Sequence, residues 1–416
     1  MKKYSSIHIN DSYDKLISKI EPHEFSLHFL DESNFVLAWN LEQRIELDND
    51  KADFEEMDEF LIKNEGNYIF SILSYDLKNS IYSGLSSKNE SFTRENKSFF
   101  TTYKNVIILN SKDSLYFGSL ETNEIEAFFS SVIEKVDEED MVEELIPIES
   151  ETSYLEKLKI LQNQIQLGNI YEINYCTSFN SQEHNLKINS VFQKIIAKTE
   201  APFGALYKFD SIVLLSGSPE RFICKKNNLI YSQPIKGTAK RGLTKDSDND
   251  LIEKLKSSKK DRAENVMIVD LVRNDLSKIA KKNSVEVKVL SELHTFKSVH
   301  QLISTVQGSL QNKKTFQDIL KAMFPMGSMT GAPKINAMKY SEKTENFKRG
   351  FYSGASGLIE PNGNFDFNVI IRSIIHDGNS RISQIGVGGA ITILSEPEEE
   401  YEECLTKLKA IKESLC

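Results

Sequence analysis

The feature that most constrains this chain is a hairpin. Arg221-Phe222-Ile223-Cys224 runs outward, Lys226-Asn227-Asn228 turns, and Leu229-Ile230-Tyr231 begins a return towards Pro234-Ile235-Lys236. Pairing about such a turn is antiparallel, and it puts Glu220 opposite Ile235, one residue from Lys236. A carboxyl group and an amine are thereby delivered to one end of a rigid ribbon. Such a pair can serve as an acid beside a nucleophile or base. It can equally be a cross-strand ion pair, which is the commoner use of this arrangement.

Helical patterns flank the hairpin without alternating regularly with strands. Ser153-Tyr154-Leu155-Glu156 reads as a capping box; Tyr154, Leu158, Leu161 and Ile165 follow at helical spacing, and Gly168 is a natural stop. A strand-like run, Ile170 to Cys176, comes next. Residues 261–280 read as a helix with Ala263, Val266, Met267 and Leu271 among its apolar positions. Residues 397–415 read as a last helix with Tyr401, Leu405, Leu408 and Leu415 on one face. Residues 1 to about 150 mix short β-like runs (35–38, 68–73, 106–109) with polar breaks, and the acidic stretch Val136 to Glu144 reads as a solvated connection. The absence of a βαβ rhythm predicts an α+β architecture rather than a doubly wound sheet.

Composition narrows the function. The 416 residues, 39% apolar and 27% charged, are ordinary for a globular protein with a large core. A formal net charge of -10 argues against general affinity for nucleic acid or anionic membrane, so an anionic substrate would need positive charge placed locally. The cysteines (Cys176, Cys224, Cys404, Cys416) form no CxxC pair and read as a reduced, cytosolic set. The polar start shows no signal peptide, and no apolar run approaches the roughly 18 residues of a membrane helix.

Two further groups could carry chemistry. Glu264 reads as lying in the first turn of its helix, and Glu400 and Glu403 share a face of theirs. Hard carboxylate oxygens suit magnesium, although acids in first turns ordinarily complement the helix dipole, as Glu398 and Glu399 are expected to do. The glycine-rich runs Gly327 to Lys334 and Gly386 to Ala390 miss the GxxxxGK[ST] spacing, which disfavours a nucleotide. Exposed amides in either could bind a carboxylate.

Together these motifs resemble the chorismate-utilising enzymes, a family that includes component I of anthranilate synthase and of aminodeoxychorismate synthase, with isochorismate and salicylate synthases. The matching runs are 168–174 (GNIYEIN), 218–222 (SPERF), 234–238 (PIKGT), 261–280 (DRAENVMIVDLVRNDLSKIA), 329–334 (MTGAPK), 352–354 (YSG), 368–372 (NVIIR) and 397–403 (PEEEYEE). They stand in family order over about 150–416. Over 1–150 the best piece is Ser74-Tyr75-Asp76-Leu77. The resemblance implies an α+β fold of two antiparallel sheets packed as a sandwich with helices outside, an N-terminal region (1–150) and a chorismate-binding catalytic region (151–416).

By resemblance, Glu264 and Glu403 hold Mg2+ with Glu400 nearby. Gly237, Thr238, Tyr352, Arg372, Gly388 and Gly389 match chorismate-contacting positions. Glu220 matches the general acid for the departing hydroxyl. Lys236 stands where anthranilate synthases usually have Ala and aminodeoxychorismate synthases have a lysine that attacks the ring covalently. The implied activity joins chorismate and ammonia to give 4-amino-4-deoxychorismate, on the way to p-aminobenzoate and folate. Anthranilate formation is the main alternative; isochorismate synthesis or a non-catalytic chorismate-binding subunit are others. With no glutaminase signature and no room for a fused one, a separate glutamine amidotransferase is expected to supply ammonia. Three positions depart from the family: Glu172 where ammonia users usually have Gln, Gln301 (preceded by His300) where a His is usual, and Ala390 closing the glycine run.

Overall fold

The structure is a computed structural model that describes residues 3–7, 13–31, 34–93, 96–109, 114–130, 142, 144–296 and 299–415. Apart from Val142 and Glu144, the acidic stretch from Val136 lies outside the described residues, as does Cys416. Twenty strands join in one hydrogen-bonded network, and their pairings are antiparallel throughout the described residues. The expected α+β fold of antiparallel sheet with packed helices is the one observed.

The sheet is apolar on both faces where it carries the core. Along the strand Phe35–Leu47, Val36 and Ala38 enter one hydrophobic cluster, while Phe35, Leu37 and Trp39 enter the other. Early strands pair with late ones: Phe25–Phe29 with Phe203–Phe209, and Ile69–Leu73 with Ala355–Ile359.

The hairpin forms as expected. Arg221–Lys226 and Leu229–Gln233 pair around Asn227, which takes the left-handed φ of 55°. Cys224 faces Tyr231, but a register shift then sets Arg221 against Gln233 rather than Pro234. The extrapolated pairing of Glu220 with Ile235 is therefore displaced by one residue, because one-to-one counting misses a bulge.

Helix starts differ from the sequence reading. The helix Glu151–Gln166 is capped by Ser150, whose side chain accepts the Ser153 N–H at 3.2 Å. The Ser153 hydroxyl instead donates to Glu149, so the expected capping box is not formed there; the cap lies one turn earlier. Gly168, at φ 76°, does end this helix. The helix Lys259–Ser277 starts at cap Ser258, which moves Glu264 from the first turn to the second. Its inward face is Glu264, Asn265, Ile268, Val269, Val272, Asp275 and Leu276, whereas Ala263 and Val266 face solvent. Glu264 and Asn265 thus open a stripe that is apolar apart from Asp275, and they lie against the strand Ile235–Lys240 and its neighbour Val299–Ser309. The last helix, Pro397–Lys412, buries Glu400, Cys404 and Leu408.

Candidate functional site

Lys236 is aimed by an irregularity in its own strand. The register against Val299–Ser309 shifts between Ile235 and Thr238, and Gly237 adopts φ 90° with the Asp261 side chain close over it. Such a bulge re-aims a side chain, and only glycine takes this backbone without strain. Lys236 Nζ lies 2.9 Å from Glu172 Oε1. Glu172 is held in place because its neighbour across the ladder is Ala332 of the MTGAPK loop. Burial works against the Lys236 ammonium, but Glu172, then Glu264 and Glu220, outweigh it and hold the pKa well above the ordinary lysine value.

Glu220 is buried, and burial pushes its carboxyl up to about 7; a hydrogen bond from Ser328, the Lys236 charge and the Ile235 N–H pull it back. Glu264 is also pushed up to about 7 by burial, with Lys236 opposing and Glu172 reinforcing the rise. Its Oε1 is buried with no partner among the described residues, and so is Glu172 Oε2.

The last helix brings the other acids. Glu400 Oε1 accepts from Lys260 Nζ at 2.6 Å. Glu403, about half exposed, pairs with Lys407 Nζ at 2.6 Å. Burial tends to raise the Glu403 pKa, but Lys407 and then Lys260 and Lys236 lower it overall. The glycine run lies within the strand Ile382–Ile391 rather than after a strand. A Cβ on Gly388 would come within 2.6 Å of Tyr175 O, and one on Gly389 would sit 3.4 Å from Glu400 Oε2 and 3.9 Å from Glu403 Oε1. Lys407 ties this strand to the acids by donating to Gly388 O at 2.7 Å.

Tyr352 is buried with its ring against Gly386, where a Cβ would approach to 2.3 Å. Arg372 is half-buried at φ 53°; desolvation lowers its pKa, and Tyr352 and Glu403 oppose that shift. Among the described residues its guanidinium has no hydrogen-bonded acceptor and no ion-pair partner. A guanidinium so placed is a ready receptor for a carboxylate. Thr238 pairs across the ladder with Gln301, whose Oε1 is buried and unpartnered among the described residues. His300 does not replace the missing family histidine: its ring nitrogens engage Asp248 at 2.9 Å and Thr295 at 3.0 Å.

The residues singled out in the sequence therefore form one electrostatic web: Glu220, Glu172 and Glu264 around Lys236; Glu264, Glu400 and Glu403 around Lys260; Tyr352 and Glu403 near Arg372. Ser328, Lys260 and Lys407 escaped the sequence reading, since polar residues in a loop and on helix surfaces carry no pattern of their own. Among the described residues no three acidic, histidine or cysteine side chains stand together as a ready-made metal cluster. The donor set nevertheless fits magnesium: it is all oxygen, Glu264 Oε1 lacks a partner, and Lys260 supplies positive charge to the same three acids.

An acid beside an amine, a guanidinium without an acceptor among the described residues, and three carboxylates acting on Lys260 thus stand on one antiparallel α+β frame. The chain belongs to the chorismate binding enzyme family, whose model matches residues 22–413. It is 39% identical over 265 residues to the probable chloroplastic aminodeoxychorismate synthase of Oryza sativa subsp. japonica, covering 63% of this chain and 29% of that protein. It is 36% identical over 262 residues to aminodeoxychorismate synthase component 1 of Escherichia coli (strain K12), covering 63% and 57%. The chain thus spans less than two thirds of the length of these curated relatives. Its fold is similar to that of anthranilate synthase component I from Streptococcus pneumoniae TIGR4, with a TM-score of 0.79 and 22% identity over 91% of this chain and 92% of the other.

Proposed function

We propose that this chain, with Mg2+, converts chorismate and ammonia to 4-amino-4-deoxychorismate, in the cytoplasm and on the route to p-aminobenzoate and folate. The observation that carries the reading is Lys236 between Glu172, Glu264 and Glu220, an amine next to a carboxyl whose pKa burial brings close to neutrality. A group titrating near the working pH is suited to give up a proton in a rate-limiting step.

In this reading Arg372 takes one carboxylate of the chorismate dianion with paired hydrogen bonds, and the amides around Gly237 and Gly388 lie along the substrate. Glu264 and Glu403, with Glu400 beside them, would hold Mg2+, which would supply positive charge to neutralise the ring carboxylate. Glu220, protonated, donates to the ring 4-hydroxyl, which departs as water. Lys236 passes a proton to the carboxylate of Glu172, 2.9 Å from its Nζ, and forms a bond to C2 as the C4–O bond breaks and the ring double bond shifts. Ammonia then adds at C4 to give an ammonium group, the double bond shifts back, and the C2–N bond to Lys236 breaks as the departing lysine nitrogen takes its proton back from Glu172. Relatives named component 1 support a separate subunit as the ammonia source. The test is product analysis from chorismate, Mg2+ and an ammonium salt. Aminodeoxychorismate is expected; anthranilate and pyruvate as main products would overturn the reading.

A further inference from the structure

Three separate pieces of chain carry residues of the candidate site. Glu172 is on the strand Glu172–Ser181, Ser328 is in the turn Gly327–Met329, and Tyr352 follows the segment 345–351. One side chain touches all three pieces. Arg349, 2% exposed, donates from Nη1 to Met329 O at 2.7 Å and to Ser353 Oγ at 3.5 Å, and from Nη2 to Asn174 O at 2.8 Å. Its Nε donates to Glu345 Oε2 at 2.9 Å, and Nη2 also meets Glu345 Oε1. Glu345 Oε1 in turn accepts the Cys176 N–H at 3.1 Å, a second anchor in the Glu172 strand. The Tyr75 ring lies over the guanidinium at 4.5 Å.

We infer that Arg349 is a positioning residue that holds the Ser328 turn and the Glu172 strand in fixed register, and so sets where Glu220 and Lys236 stand relative to one another. The fork is suited to this. Its planar donors fix direction as well as distance, which a lysine ammonium does not. As a device for stability alone, a buried ion pair is a poor choice beside apolar side chains of similar size. Asn174 is two residues from Glu172, the hydrogen-bond partner of Lys236, and Met329 adjoins Ser328, which lines one cavity with Glu220 and acts to lower the Glu220 pKa. The groups facing Glu220 are Ser328, Lys236 and the Ile235 N–H; those facing Arg349 are Glu345, Tyr75 and Cys176.

This inference rests on Glu220 acting as the acid. Removing Arg349 alone would strand Glu345 as a buried charge, so the paired variant Arg349→Met with Glu345→Met is compared with Arg349→Lys and Ser328→Ala in the full chain. Thermal unfolding, kcat, KM for chorismate, and kcat against pH are measured with Mg2+ and ammonium. The paired variant is expected to unfold cooperatively, with kcat down by about tenfold or more and KM changed much less. The Ser328 bond favours the ionised Glu220, so losing it raises the Glu220 pKa. The alkaline limb of kcat therefore moves to higher pH in Ser328→Ala and, in the same direction, in the paired variant. Arg349→Lys recovers part of kcat; if the paired variant fails to fold, a reduced kcat and the same limb shift in Arg349→Lys carry the inference. An unchanged limb in the variants that fold, with activity tracking only the folded fraction, overturns it. Should the product prove to be other than aminodeoxychorismate, the function proposed above fails, while the limb comparison still judges Arg349 on the reaction observed.

Discussion

Replacing Arg372 by Asn should weaken the enzyme's hold on substrate and strengthen its fold. In the substrate-free protein this guanidinium is partly desolvated and has no acceptor among the described residues, and its backbone is left-handed at φ 53°. A non-glycine residue in that conformation costs on the order of 1–2 kcal/mol, and Asn tolerates it better than most. Removing an unpaired, half-buried charge adds to the gain, so the net stabilisation is about 1 kcal/mol, or about 1–3 °C in Tm for a chain of this size. The loss on the binding side is larger. Charge-assisted bonds to a carboxylate contribute about 1.5–3 kcal/mol, equivalent to about 10- to 150-fold in Kd. The assay is calorimetric titration of chorismate with Mg2+ into Lys236→Ala protein, with and without Arg372→Asn, so that covalent chemistry does not intrude. Differential scanning calorimetry gives Tm without ligand. Unchanged affinity together with a Tm several degrees lower would refute the reasoning, because Arg372 would then be a structural residue with a partner in the fold.

Lys236→Ala should abolish aminodeoxychorismate formation while leaving magnesium binding intact; mass spectrometry of wild type with chorismate should show an adduct on Lys236, and an undiminished rate in the variant removes the lysine from the mechanism. Glu220, with its pKa raised to about 7 from an ordinary 4.5, contributes stability that is fully present below about 4.5 and is lost as pH rises through 7. Thermal unfolding with chelator should therefore show a fall in Tm across that window that is smaller in Glu220→Gln; equal slopes would contradict the assigned burial. The kcat of wild type should likewise decline above about pH 7 as the acid ionises. Gly386→Ala should disrupt the site, since a Cβ would lie 2.3 Å from the Tyr352 ring, whereas Gly389→Ala, 3.4 Å from Glu400 Oε2, should fold and lose activity only in part; the opposite ranking, read from soluble yield and kcat, would show that the Tyr352 ring moves aside freely.

The sequence made the hairpin and the chemistry-bearing residues legible because both rest on local order: a turn at Asn227 and short motifs in a fixed succession. It failed where tertiary contacts choose between local options. Ser150 and Ser153 are both competent caps, and only packing of Tyr154, Leu158 and Leu161 decides where the helix begins. The apolar positions named for the helix Lys259–Ser277 did not reveal its inward side, since that stripe includes Glu264, Asn265 and Asp275, which no hydrophobic pattern marks. The Glu172–Lys236 contact spans 64 positions and could not be read from either motif alone. Arg349 gave no signal at all: a lone arginine among charged residues reads as surface until its five hydrogen-bond partners are seen.

The edge-to-edge pairing of Ile69–Leu73 with Ala355–Ile359 has a consequence for how the molecule comes into being. Ser71 meets Gly357, and Ser74 bonds Gly350 O at 3.0 Å, across roughly two thirds of the chain. On the ribosome the early strand therefore emerges long before its neighbour exists, with an apolar edge and the Tyr75 ring uncovered. Such distant pairing makes folding slow relative to chains built from local contacts. The pairing that seats Ser74 and the Tyr75 ring can form only once residues 355–359 have emerged.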